Sequence, residues 1–112
     1  MFGFGKSAKH REIGPAELKA LLDQGEALVI DVREPGEFAA EHIAGAVNLP
    51  LSSFDPARLP AADGKTVILQ CAGGKRSGMA LDRCAEAQAA IDTHLAGGLG
   101  AWKSAGLPVE RG

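Results

Sequence analysis

The sequence predicts an α/β domain built on a mostly parallel sheet with helices on both faces. Three observations support this prediction. Short β-branched apolar runs alternate along the chain with segments of helical periodicity. A length of 112 residues suits one hydrophobic core, and 46% hydrophobic with 23% charged residues is typical of a soluble globular protein. Right-handed crossovers between parallel strands place helices on both faces of the sheet.

The sequence of the first half of the domain predicts two helical segments and two strands. Pro15 suits the first position of a helix and Gly25 suits a carboxyl-terminal stop, with Leu18, Leu21 and Leu22 on one face between them. The run "ALVIDVR" is rich in β-branched residues and predicts a buried strand. In order, the predicted elements are a helix in residues 14–25, a strand in 27–33, one or two helical turns in 34–43 and a short strand in 45–50.

The second half predicts two more strands and two helices after a long loop. Residues 51–64 contain Pro56 and Pro60 and predict a loop with one helical turn. Gly106 and Pro108 suit the end of the last helix. The predicted elements are a buried strand in 65–71, a helix in 77–91, a short strand in 93–98 and a closing helix in 99–108.

The remaining features set the expected surroundings of the domain. We expect residues 1–10 to be a flexible amino-terminal segment and 11–112 to be the domain; a docking role for Phe2 and Phe4 is an open alternative. A net charge of −2 gives no overall attraction to nucleic acid or to an anionic membrane. No apolar run has the length of a signal peptide or a bilayer span. With two cysteines, we expect a reducing cytoplasm, and a monomer is the default.

One stretch, "VILQCAGGKRSGMA" (residues 67–80), predicts a reactive cysteine. Cys71 follows a buried strand, and the functional crevice of a parallel sheet lies beyond the carboxyl ends of its strands. Gly73 and Gly74 allow successive N–H groups to turn into one concavity. Lys75, Arg76 and the amino terminus of a helix add positive potential. Because all these features favour thiolate over thiol, we expect an activated nucleophile in an anion cradle.

Such a cradle suits a sulfur or phosphorus oxyanion as substrate. If sulfur is taken up, the product is a persulfide on Cys71 whose terminal sulfur a second nucleophile removes. The alternative is that the two glycines form a tight turn beside an inert cysteine. The combination of a cysteine, two glycines, two cations and a helix start favours the reactive interpretation.

These residues resemble the rhodanese homology domain in its single-domain form. The resemblance rests on "VIDVREPGEFAAEHIAGAVNLP" (residues 29–50), "CAGGKRS" (71–77) and "LAGGLGAW" (95–102), in the family's order and over residues 13–109. It implies a parallel five-stranded sheet between helices. It also implies sulfurtransferase chemistry without a cofactor, in which a cysteine persulfide takes sulfane sulfur from thiosulfate and passes it to cyanide or a thiol, with a protein thiol as a further option.

The resemblance also assigns roles to residues. Cys71 corresponds to the nucleophile, and Arg76 closes the loop that follows it. Asp31 and Arg33 resemble a charged pair that supports this loop by hydrogen bonding, and Ser77 is grouped with them as a supporting residue. The substrate cradle corresponds to the backbone amides of Ala72, Gly73, Gly74, Lys75 and Arg76.

Two alternative functions are weighed against the sulfurtransferase. Related phosphatases of this fold have a Cys-x5-Arg loop, whereas this chain has Cys-x4-Arg, which disfavours a phosphatase or arsenate reductase. Mercaptopyruvate users have a less basic loop, so the charges of Lys75 and Arg76 favour dianionic thiosulfate. A persulfide carrier that relays sulfur between partner proteins remains open, and so does the physiological acceptor.

The other candidate residues receive structural interpretations. Cys84 lies on the apolar side of its helix, too far along it to bridge to Cys71, and is expected to be a core thiol; a sulfur relay is the alternative. The cysteines and histidines lack the paired spacing of zinc ligands, so no metal site is predicted. His42 is expected to be structural and Trp102 to pack in the core, while His10 and His94 receive no functional role.

Overall fold

The computed structural model describes residues 10–112. The predicted flexible segment, except for residue 10, and the alternative docking role of Phe2 and Phe4 therefore lie outside the described residues. Five parallel strands form one sheet in the order β1-β5-β4-β2-β3. This arrangement confirms the predicted α/β class. The elements are β1 (Arg11–Ile13), α1 (Pro15–Asp23), β2 (Ala27–Asp31), α2 (Pro35–Ala40), β3 (Val47–Asn48), β4 (Thr66–Gln70), α3 (Lys75–Glu86), β5 (Thr93–Leu95) and α4 (Gly98–Ser104), with 3₁₀ turns at Leu51–Ser53 and Pro56–Arg58.

Strand β1 has no counterpart among the elements predicted from the residues. It is an edge strand of three residues, and only Ile13 is buried. Its conformation depends on pairing with β5, where Ile13 lies opposite Leu95. A strand this short carries no period-2 pattern of its own, so local sequence could not indicate it.

Helix α3 begins two residues before the predicted start and ends five residues before the predicted end. Gly74 caps its amino terminus with φ of +110°, a conformation that favours glycine. At the other end, Gln88 takes a φ of +59°, which stops the helix after Glu86 despite the helix-forming alanines that follow. As a result, Lys75 and Arg76 occupy the first turn of α3 rather than the loop before it.

Alternate residues of the central strands supply two separate cores. Val29 and Ile68 face α1 and α4, whereas their neighbours Ile30 and Leu69 face α3. The first core also contains Leu18, Leu95, Leu99 and Trp102, and the second contains Val32, Phe54, Ala80, Leu81 and Cys84. The sheet is therefore covered on both faces, as a parallel sheet requires.

Because the strands are parallel, the carboxyl ends of β2, β4 and β5 lie together at one end of the sheet, its carboxyl-terminal end. The segments that follow these strand ends lead into α2, α3 and α4. Residues far apart in sequence therefore meet there. No helix within residues 10–112 is long and apolar enough to cross a bilayer.

Candidate active site

Cys71 lies directly after the central strand β4, at the carboxyl-terminal end of the sheet. Its thiol is buried, with 1% of the residue exposed. The sulfur accepts hydrogen bonds from the backbone N–H of Gly74 at 3.0 Å and of Ser77 at 3.3 Å. The hydroxyl oxygen of Ser77 is 3.6 Å from the same sulfur. Residues 71–76, named here the Cys71 loop, comprise the loop of residues 71–74 and the first two residues of α3. Together with Ser77, this segment surrounds the thiol with hydrogen-bond donors.

These donors change the acidity of Cys71. Burial acts to raise the pKa of the thiol, but hydrogen bonds from the hydroxyl and N–H of Ser77 and from the N–H of Gly74 and Gly73 outweigh it. The net effect lowers the pKa of Cys71 below that of an ordinary thiol. A thiolate here is nucleophilic and remains surrounded by donors.

Two further N–H groups of the predicted cradle are available to a ligand. Lys75 and Arg76 occupy the first turn of α3, where backbone N–H groups lack partners within the helix. No acceptor for either N–H occurs within residues 10–112. Hydrogen bonds to the sulfur of Cys71 come from Gly74 and Ser77, so the N–H groups at positions 75 and 76 can receive an incoming anion.

Helix α4 fixes the Cys71 loop from behind. Its first amides bind the carbonyls of the loop: Leu99 donates to Cys71 at 2.8 Å and Gly100 to Ala72 at 3.0 Å. Gly98 makes this close approach possible, because its φ is +59° and an added Cβ would lie 2.3 Å from the carbonyl oxygen of Cys71. Gly98 in "LAGGLGAW" therefore allows α4 to position Cys71.

The guanidinium of Arg76 forms a bidentate ion pair with Glu37 of α2, at 2.7 and 3.0 Å. Hydrogen bonding from Arg76 is the main reason that the pKa of Glu37 falls to about 2, and the same pair raises the pKa of Arg76. Both side chains are partly exposed. Arg76 thus links the Cys71 loop to α2, and its charge is partly neutralised by Glu37.

Asp31 and Arg33 form the buried pair that the sequence analysis anticipated. The Arg33 guanidinium donates to both oxygens of Asp31, the shortest contact being 2.7 Å, and to the carbonyls of Glu37 in α2 and of Glu41 directly after it. The amide of Gln70, the residue before Cys71, also donates to Asp31 at 2.7 Å. The pair therefore acts on α2 and on the end of β4 rather than directly on residues 72–76.

The sequence assigns no role to His94, yet its ring lies against this site. Its Nδ1 is 2.7 Å from the Ser77 hydroxyl, and the side chain is buried. One signal could have identified it: Leu95 faces the core beside α1 and α4, so strand alternation directs His94 toward α3.

The other candidates occupy structural positions. Cys84 is fully buried in the core beneath α3, where burial raises the pKa of its thiol. Trp102 packs in the opposite core and its indole N–H donates to the carbonyl of Pro108. His42 is buried, stacks on Phe38 and binds its carbonyl. Within residues 10–112, no group of three or more ligating side chains could bind a metal ion.

Comparisons with known proteins agree with this geometry. The model of the rhodanese-like domain family matches residues 14–105. An uncharacterized protein of Synechocystis, slr1261, is 49% identical over 99 residues, which cover 88% of this chain and 55% of that protein. The thiosulfate sulfurtransferase PspE of Escherichia coli is 36% identical over 87 residues, covering 74% of this chain and 78% of PspE.

Solved structures show the same fold. The crystal structure of a rhodanese-related protein from Thermoplasma volcanium superimposes with a TM-score of 0.76 at 30% identity, covering 90% of this chain and 98% of that one. The chain spans only about half the length of the Synechocystis relative.

Proposed function

The chain belongs to the family of rhodanese-like domains, a sulfur-transfer family, and on that premise we propose that it is a thiosulfate sulfurtransferase working through a persulfide on Cys71. One observation carries the proposal. The buried sulfur of Cys71 accepts N–H groups from Gly74 and Ser77, while the N–H groups of Lys75 and Arg76 have no acceptor among the described residues. A reactive thiolate and an anion site therefore lie side by side.

In the first step, the Cys71 thiolate attacks the outer sulfur of thiosulfate. A new S–S bond forms with Cys71, the bond between the two sulfurs of thiosulfate breaks, and its electron pair leaves with sulfite. The sulfonate oxygens lie against the N–H groups of Lys75 and Arg76, which stabilise the departing charge. The terminal sulfur of the persulfide then carries the negative charge within the Cys71 loop.

In the second step, a thiolate or cyanide attacks the terminal sulfur. The electron pair of the persulfide bond returns to Cys71, and the same N–H donors stabilise the thiolate that is regenerated. A nucleophile with a lowered pKa is also a good leaving group. The single feature of thiolate stabilisation therefore serves both steps.

Mass spectrometry tests the proposal directly. Incubation with thiosulfate should add one sulfur atom to the peptide containing Cys71, and cyanide should remove it as thiocyanate. Cys71→Ser should gain no sulfur, whereas Cys84→Ser, the matched substitution in the core, should gain it as the unmodified protein does. A protein that remains unmodified by both thiosulfate and mercaptopyruvate would contradict the proposal.

A steady-state assay separates the persulfide carrier from the enzyme. A carrier would turn over thiosulfate and cyanide slowly but would accept sulfur rapidly from a cysteine desulfurase. Phosphate release from an aryl phosphate, lost in Cys71→Ser, would instead indicate a phosphatase. Four residues separate Cys71 from Arg76, one fewer than in the Cys-x5-Arg loop of the related phosphatases. This shorter cradle favours a sulfur substrate over a phosphate.

A further inference from the structure

Three buried side chains form a continuous polar chain that begins at the nucleophile. The sulfur of Cys71 lies 3.6 Å from the hydroxyl of Ser77, and that hydroxyl lies 2.7 Å from Nδ1 of His94. Ser77 is on α3 and His94 is on β5, so the two meet only through the packing of the helix on the sheet. The sulfur-transfer steps above use Ser77 only through its N–H and do not use His94.

Comparison with a second buried histidine, His42, shows how the hydrogen bond at Nδ1 of His94 differs. His42 and His94 have side chains that are 8% and 9% exposed, and Nε2 of each lies 3.5 or 3.6 Å from a glutamate oxygen. Nδ1 of His42, however, lies 2.8 Å from the carbonyl of Phe38, which can only accept a hydrogen bond. Nδ1 of His94 faces a hydroxyl, which can both donate and accept. The direction of the hydrogen bond can therefore reverse at His94 but not at His42.

The far side of the His94 ring opens toward a cleft of about 300 Å³ at the surface. The charged and titratable groups that face the ring are Glu12 of β1, His10 before it, and Lys75 and Asp82 of α3. Burial lowers the pKa of His94, Glu12 acts in the opposite direction, and His10 adds to the lowering. Burial therefore favours the neutral ring, which is the form that can accept a proton from the thiol form of Cys71.

The neighbours of the neutral ring determine which nitrogen carries its proton. The carboxylate of Glu12 favours a proton on Nε2, which it faces at 3.6 Å. Nδ1 then accepts the hydrogen bond from Ser77, and the lone pairs of the Ser77 oxygen are left for the S–H of Cys71. Both hydrogen bonds, from Cys71 to Ser77 and from Ser77 to His94, then point from the thiol toward His94.

From this geometry we propose that Ser77 and His94 form a proton relay for the thiol of Cys71. The S–H proton moves to the oxygen of Ser77 as the hydroxyl proton of Ser77 moves to Nδ1 of His94. An S–H and an O–H bond break, an O–H and an N–H bond form, and no electrons are transferred. The products are a thiolate and an imidazolium, joined through a Ser77 hydroxyl that now donates to the sulfur.

His94 is a positioning residue in this scheme, because it acts on Cys71 only through Ser77. The Ser77 hydroxyl has a competing acceptor, the carbonyl of Gly74 at 3.2 Å. A protonated His94 donates to the Ser77 oxygen and leaves the hydroxyl proton free for the thiolate. The relay deepens the proposed function, on which its purpose depends, by specifying how the nucleophile is activated.

The first test is the pH dependence of Cys71 alkylation by iodoacetamide, followed by mass spectrometry of its peptide. His94→Asn preserves a hydrogen-bonding group for Ser77 but cannot take up a proton. We expect the inflection of the profile to rise by about one pH unit, so that alkylation below it is about tenfold slower. The matched control, His42→Asn, replaces an equally buried histidine and should keep the profile of the unmodified protein. Identical profiles for all three proteins would overturn the relay.

The second test uses the reciprocity of coupled sites. The pKa of His94, measured from its ring-proton NMR signals, should fall in Cys71→Ala by the same amount that the pKa of Cys71 rises in His94→Asn. A purely structural role for His94 would alter thermal stability without this reciprocal shift, and an unchanged His94 titration in Cys71→Ala would overturn the proposal. The His94 titration in Cys71→Ala decides between these outcomes even if His94→Asn does not fold.

Neither test depends on sulfur transfer, so the two proposals can fail separately. Reciprocal shifts in a protein that takes up no sulfur would refute the sulfurtransferase and retain the relay. Sulfur uptake on Cys71 without reciprocal shifts would refute the relay and retain the sulfurtransferase.

Discussion

Alanine at position 98 would push a methyl group into the backbone carbonyl groups of Cys71 and Ala72. The added Cβ would lie 2.3 Å from the carbonyl oxygen of Cys71 and 2.7 Å from the carbonyl carbon and oxygen of Ala72. All three are backbone atoms, so none can move aside by a change of rotamer. The φ of +59° adds strain for any residue other than glycine. We expect Gly98→Ala to separate α4 from the Cys71 loop.

The size of the effect follows from these contacts. A non-glycine residue in the left-handed region costs about 1–2 kcal/mol. The two hydrogen bonds from Leu99 and Gly100 to the loop, at 2.8 and 3.0 Å, contribute about 1 kcal/mol each. Gly98→Ala should therefore lower the free energy of unfolding by about 3 kcal/mol. It should also raise the pKa of Cys71, because the displaced loop no longer directs its N–H groups at the sulfur.

Urea denaturation and the pH dependence of Cys71 alkylation measure these two effects. Gly100→Ala is the matched control, because its added Cβ would be 3.5 Å from the carbonyl oxygen of Ala72, an ordinary contact. We expect that variant to be as stable as the unmodified protein or more stable by about 0.5–1 kcal/mol, since alanine favours a helix over glycine. If Gly98→Ala retained both the stability and the alkylation profile of Gly100→Ala, the docking of α4 would not position Cys71.

Three further predictions concern charge and the second thiol. Asp31→Asn leaves the buried guanidinium of Arg33 without its counterion, so urea denaturation should show a loss of about 3–5 kcal/mol; a loss below about 1 would contradict this. The Glu37–Arg76 pair should stabilise the fold above pH 4.5 and lose that contribution as the pH falls to about 2, because the folded pKa of Glu37 is lowered. Solvent screening limits the contribution of this pair to about 1 kcal/mol. Glu37→Gln should abolish this part of the pH dependence of stability; if the dependence persists in that variant, the pair does not cause it. Cys84→Ala should retain sulfur uptake on Cys71 while losing about 1 kcal/mol of stability; loss of uptake in a folded variant would assign Cys84 to the transfer.

The predictions that came from local sequence agree well with the structure. The strand before Cys71, the glycines after it and the helix that follows are consecutive in the chain, so their signals need no knowledge of the rest of the fold. The helix stop at Gly25 and that at Gly106 likewise agree with positive φ values of +70° and +77°. Where local signals failed, as at the end of α3, the alanines after Glu86 favoured a helix that the backbone at Gln88 interrupts.

The sequence by itself determined the α/β class, the position of Cys71 at the end of a strand and the Cys-x4-Arg spacing that follows it, because each depends on residues that are neighbours in the chain. Only the tertiary structure decided that Arg76 pairs with Glu37, that α4 supports the Cys71 loop through Gly98, and that His94 faces Ser77. Strand periodicity indicates which face of a sheet a side chain occupies, but it does not specify which strand or helix lies beside it. That choice is made by the packing of the whole core, and it brings together residues that the sequence keeps apart.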